Sequence, residues 1–140
     1  MDRDVVLFKI ESLERCVDRI RSKVPATPQD LAGNLDAQDI IVLNLERAVQ
    51  LCVDIAAHVV AELKIPAPMT MADSFARLRQ TGVLDEDVTQ RMQKAVGFRN
   101  IAVREYQAIN WDMVHSIITD RLDDFRQYAA AIVGWMETHG

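Results

Sequence analysis

Two groups of polar residues interrupt an otherwise apolar pattern. The first is Arg99, Asn100, Arg104 and Tyr106, at the end of a stretch, Val88–Arg104, that also holds Arg91 and Lys94 and contains no acid. A guanidinium can fork onto two oxygens of one phosphate, so a basic helix on an acidic protein forms a local surface able to engage a few phosphates. Charge alone leaves a solvated charged face as the other reading. The second group is Asn44, Arg47, Asp54 and His58. At 100° per residue these four fall within an arc roughly 80° wide on one helix. They are either a structural set, with Asp54 and His58 an i,i+4 pair and Arg47 answered by a carboxylate on a neighbouring helix, or the lining of a wet cleft or subunit interface.

The elements that must carry these groups are helical. The chain has 140 residues, 49% of them apolar, with only five Gly and four Pro, which excludes disorder and turn-rich β folds. With 16 Lys+Arg against 21 Asp+Glu the net charge is −5, so any nucleic-acid contact must rest on a local basic surface. Val6, Ile10, Leu13, Val17, Ile20 and Val24 alternate spacings of four and three, predicting an amphipathic helix over about 2–23. Thr27 and Pro28 start a short turn of helix before Gly33, and Asp36 is placed to cap the next helix. From Asp39 to Leu63 there is no Gly or Pro and apolar residues fall on nearly every face, predicting a central helix surrounded by protein.

After the Ile65–Pro68 loop, Ala72–Gln80 reads as a short helix stopped by Gly82. Asp85 and Asp87 open a helix running to about Val103, and Asn110 caps a last helix that runs through Phe125 and Met136. The expectation is one all-α domain over 1–140, an antiparallel bundle of four long helices and one or two short ones. Cys16 and Cys52 lie in apolar helical patterns and are expected as reduced core residues, with no metal site. No apolar run is long enough to span a bilayer and Met1–Asp4 does not resemble a signal peptide, which predicts a cytoplasmic chain without membrane contact. The apolar central helix and the polar stripe together exceed what a bundle of this size encloses, so a symmetric dimer is expected.

The segment Gly97–Tyr106 resembles the HEPN-domain toxins of the HepT family, whose signature is Arg, four residues, His, one residue, Tyr. Arg99 matches the Arg, with Asn100 its usual companion, and Tyr106 matches the Tyr. The Asp2–Arg21, Asp39–Arg47 and Asp54–His58 segments follow the family in order and spacing, so the resemblance covers essentially the whole chain. It implies a HEPN-like bundle, metal-independent endoribonuclease activity without a cofactor, and a homodimer whose signature helices line a shared cleft. It also implies control by a nucleotidyltransferase antitoxin of the MntA type that places adenylate on Tyr106. Arg99 would then hold the phosphate, Asn100 and Tyr106 would position phosphate or ribose, and Arg47, Asp54 and His58 would support them.

The family histidine is replaced by Arg104. Imidazole exchanges protons near neutrality, whereas a guanidinium stays protonated, so Arg104 cannot serve as the base. Three readings fit: a natural member with altered cleavage, an inactive binding version, or a substitution that lets a toxic chain be produced. His and Arg codons differ by one nucleotide and the flanking Val103, Glu105 and Tyr106 match the family, which favours the last. The leading function is therefore a ribonuclease toxin whose cleavage Arg104 disables. The alternatives are a catalytically inactive nucleotide- or partner-binding helical dimer and a plain dimerisation bundle.

Overall fold

The computed structural model describes residues 2–139. Helix α1 (Arg3–Arg21) opens where Asp2 accepts a hydrogen bond from the Val5 amide at 3.2 Å, with Asp4 in its first turn and Arg19 and Arg21 in its last, the arrangement the helix dipole favours. Its buried face is the predicted one, from Val6 through Ile20. Helix α2 (Pro28–Ala32) is capped by Thr27, whose hydroxyl accepts from the Asp30 amide at 3.1 Å. Helix α3 (Leu35–Leu63) is 29 residues long. Its cap is Asn34 rather than Asp36: the Asn34 side chain accepts from the Ala37 amide at 3.0 Å, and Asp36 lies inside the first turn.

Helix α4 (Met71–Gln80) ends in a Schellman motif. Gly82 takes φ 83°, the Gly82 amide donates to the Arg79 carbonyl and the Val83 amide to the Leu78 carbonyl, with Val83 and Leu78 both buried. Helix α5 (Glu86–Arg104) is capped by Asp85 and leads into a 3₁₀ turn over Tyr106–Ala108. The expected last helix is two: α6 (Trp111–Asp120), capped by Asn110, and α7 (Asp123–His139). No Gly or Pro causes the break. Asp123 instead turns its carboxylate to Arg126 (2.6 Å) and Gln127 (2.8 Å) in a new first turn, while buried Leu122 anchors the corner. Helix α6 is thereby free to pack on α2, and a His115 ring nitrogen lies 2.9 Å from the Pro25 carbonyl. Among the described residues the bundle thus has the four long helices expected, and three short ones with a 3₁₀ turn in place of one or two.

Helix α3 packs against α1, α4, α5 and α7. Lys9 meets Asp54 and Cys16 lies beside Arg47, so α1 and α3 run antiparallel. At the centre, buried Tyr128 of α7 donates to the Cys52 carbonyl at 2.8 Å and meets Phe75 edge-on at 5.5 Å. Both cysteines are free and buried, and burial pushes both thiols up. One expectation is corrected: α3 is not surrounded. Asp36, Asp39, Leu43, Gln50, Ala57 and Ala61 are exposed along one side, and Leu43 keeps 44% of its surface. Among the described residues no helix is long and apolar enough to cross a membrane, and no group of metal-binding side chains is gathered.

Candidate functional site

Helix α5 presents its apolar residues Val88, Met92 and Val96 to the core, and Arg99 follows on that same side. The consequence is a half-buried guanidinium. Its Nη1 donates to Asn100 Oδ1 at 3.3 Å, while its Nε is buried with no hydrogen-bond partner. Such an orphan donor costs free energy on the order of 1–3 kcal/mol, so it marks a place where stability has yielded to another demand. Arg104 is the last residue of α5 and is exposed, where its charge complements the carboxyl end of the helix dipole.

The backbone leaves helical geometry at Glu105 and the 3₁₀ turn swings Tyr106 back toward α3. The Tyr106 hydroxyl donates to Asp39 Oδ1 at 2.8 Å, and its ring stands edge-on to Trp111 at 6.1 Å. Partial burial, the hydrogen bond to Asp39 and the charges of Asp39 and Glu46 push the phenol up to about 12. Tyr106 is therefore a neutral hydroxyl at physiological pH, 39% exposed, with a carboxylate already at its proton.

The predicted stripe on α3 divides. Asn44 is buried and its amide donates to the Ile40 carbonyl at 2.8 Å, a structural bond within the helix. Arg47 is exposed, and among the described residues no carboxylate pairs with it. Asp54 is held by Gln50 (2.9 Å) and Lys9 (3.9 Å), not by His58 as the i,i+4 spacing suggested. Arg47 and Asp54 line one open groove between α1 and α3, with Asn44; half-buried His58 lies beyond it on the same helix. The stripe therefore faces α1, while Asp39 and Glu46 turn toward Tyr106.

Sequence reasoning missed Asp39, Glu46 and Trp111. A usable signal existed: Asp39 and Glu46, seven residues apart, fall on one face of an otherwise apolar helix. The chemistry at hand is a half-buried guanidinium, an amide, an exposed second cation and a phenol bonded to a carboxylate. The three histidines stand elsewhere, at 58 on α3, at 115 against Pro25 and at 139 near the end of α7. No imidazole occupies the Arg99–Tyr106 segment, so it lacks a group that exchanges protons near neutrality.

Comparison with known proteins is consistent across sequence and structure. The family description "Ribonuclease HepT-like" matches residues 13–132. The chain is 33% identical over 129 residues to the mRNA nuclease HepT of Shewanella oneidensis, covering 92% of this chain and 96% of that protein. It is 22% identical over 134 residues to the tRNA nuclease HepT of Aphanizomenon flos-aquae, covering 96% and 91% of the two chains. Among solved structures it resembles the tri-AMPylated Shewanella oneidensis HEPN toxin in complex with its MNT antitoxin, with a TM-score of 0.88 and 32% identity over 94% of this chain and 98% of that one.

Proposed function

This chain belongs to the HepT-like ribonucleases, and from that premise we propose that it is the toxin of a toxin–antitoxin pair, built to cut RNA without a metal and restrained here by Arg104. The observation that carries the reading is Arg99: a half-buried guanidinium with an unpartnered Nε, beside Asn100 and in one segment with Tyr106. Metal-free RNA cleavage needs a base for the 2′-hydroxyl, a cation for the charge that develops on the phosphorane, and a proton donor for the leaving oxygen. Arg99 supplies the cation, and Asn100 and Tyr106 hold phosphate or ribose against it. Arg104 adds charge but no proton acceptor, so the chain as written binds RNA and cuts it weakly. Relatives bear the names of an mRNA and a tRNA nuclease, so the substrate is assigned as RNA without a narrower class.

The protein works as a cytoplasmic homodimer with the two signature segments facing one cleft. Exposed Leu43, Ile101 and Val103, on the uncovered side of α3 and the end of α5, supply apolar surface for that contact. The cognate antitoxin is a nucleotidyltransferase of the MntA type, consistent with the complex and the AMPylated state of the similar Shewanella toxin. It places adenylate on Tyr106, adding negative charge and bulk where RNA phosphate would sit. In a second reading, which Arg104 favours, the chain is a catalytically inactive dimer that binds nucleotide or partner. Growth of cells expressing the chain beside its Arg104→His version separates the two: the toxin reading expects arrest only with histidine, and equal growth of both sinks it.

A further inference from the structure

Among the described residues, four of the chain's twelve arginines form ion pairs. Arg77 pairs with Asp73, Arg79 with Glu86, Arg91 with Asp87 and Asp124, and Arg126 with Asp123. The groove between α1 and α3 gathers three of the other eight. Arg15 and Arg19, four residues apart on α1, face it together with Arg47 of α3, and all three are exposed. Among the described residues none of the three forms an ion pair, and Arg15 has only the neutral Ser12 hydroxyl at 2.9 Å. The one acid lining the groove, Asp54, is already engaged by Lys9 and Gln50. An acidic protein thus keeps three guanidinium groups without an ion pair in one open groove, beside amides and a hydroxyl.

We propose that this groove is a second RNA-binding surface, a track for the sugar–phosphate backbone of single-stranded RNA outside the Arg99–Tyr106 segment. The inference rests on the reading of the chain as an RNA-directed toxin and deepens it by assigning where flanking nucleotides run. Arg47 follows Glu46, whose charge reaches Tyr106, so the groove opens one helix face away from the signature, roughly 10 Å across α3. The recess favours RNA over a protein partner because three of its nine lining residues are arginines and none is aromatic, whereas the core of a protein interface is depleted in charge and enriched in aromatic side chains. Guanidinium, amide and hydroxyl groups are the usual contacts to phosphate and sugar, which position a strand without reading its bases.

The test measures binding of a fluorescein-labelled single-stranded RNA of mixed sequence by the full chain with Arg104 in place, across a series of salt concentrations. Replacing Arg15, Arg19 and Arg47 together by alanine is expected to weaken binding on the order of tenfold at 0.15 M salt. It should also flatten the log–log salt slope by about 2, since each phosphate contact to a single strand contributes about 0.7. Lysine at the three positions should restore most of the slope, and Arg126→Ala, on α7 and paired with Asp123, should leave it nearly unchanged. Circular dichroism confirms that each variant keeps its helices. An unchanged affinity and slope in the triple variant, alongside RNA binding by the parent and cleavage by Arg104→His, overturns the groove while leaving the toxin reading intact. Retained RNA affinity with lost capture by an MntA-type nucleotidyltransferase reassigns the groove to protein docking and overturns it too. If the parent binds no RNA and Arg104→His cuts none, the toxin reading itself fails and the groove falls with it.

Discussion

At Arg104 a permanent cation stands where the family signature has an imidazole, and the difference is one of proton exchange rather than of charge or size. In an assay of chelator-treated protein on total RNA, Arg104→His is expected to raise cleavage by something on the order of 10²–10⁴-fold, the range general acid–base catalysis supplies. Arg99→Ala in that background should abolish the gain, because the phosphorane charge loses its partner. Equal cleavage with either residue at 104 would remove the role assigned to that position, and a strict need for added magnesium would end the metal-free scheme. Tyr106 offers a second measurement. Its phenol is pushed up to about 12 partly by the hydrogen bond to Asp39, so Asp39→Asn should return it toward the ordinary tyrosine range. Ultraviolet titration of phenolate reads this directly. A phenol held above its unfolded value favours the folded state fully below about pH 10, and that contribution fades as pH rises toward 12. Adenylate additions seen by intact mass after incubation with antitoxin and ATP should vanish in Tyr106→Phe.

Among the elements, α3 decides most of the architecture and its cap is measurable. Asn34 satisfies the Ala37 amide, so Asn34→Ala should cost ~1 kcal/mol and lower the melting temperature by a few degrees, whereas Asp36→Ala should cost less because Asp36 meets only the helix dipole. Gly82 is the corresponding test at the end of α4. A methyl group there would touch nothing, so the penalty of Gly82→Ala is the left-handed backbone itself, about 1–2 kcal/mol. A loss near zero would mean the turn relaxes. These elements were legible because caps, breakers and apolar periodicity act within a few residues. The division of the last helix was not, since Asp120–Asp124 contains no Gly or Pro and the packing of α6 on α2 joins segments far apart in the chain.

For the molecule as a whole, the exposed side of α3 with Leu43, and Ile101 and Val103 at the end of α5, leave apolar surface that a lone bundle has no reason to expose together. Light scattering should give about twice the 15.8 kDa chain mass, and Leu43→Asp should shift it toward that of one chain with little change in helicity. A monomer at micromolar concentration would count against the shared cleft. Sequence alone determined the helical class, the four long helices, the caps at Thr27 and Asn110, and the Arg99–Tyr106 segment. These follow from local spacing and from residue types whose chemistry does not depend on neighbours far along the chain. Only the tertiary structure decided that Tyr106 bonds to Asp39, that Asp54 answers Lys9 and Gln50 rather than His58, and that Arg15 and Arg19 share a groove with Arg47. Each of those pairings depends on which side of one helix meets another. An apolar count along a single helix cannot reveal that, because the rotation of two packed helices is set by how both surfaces interlock.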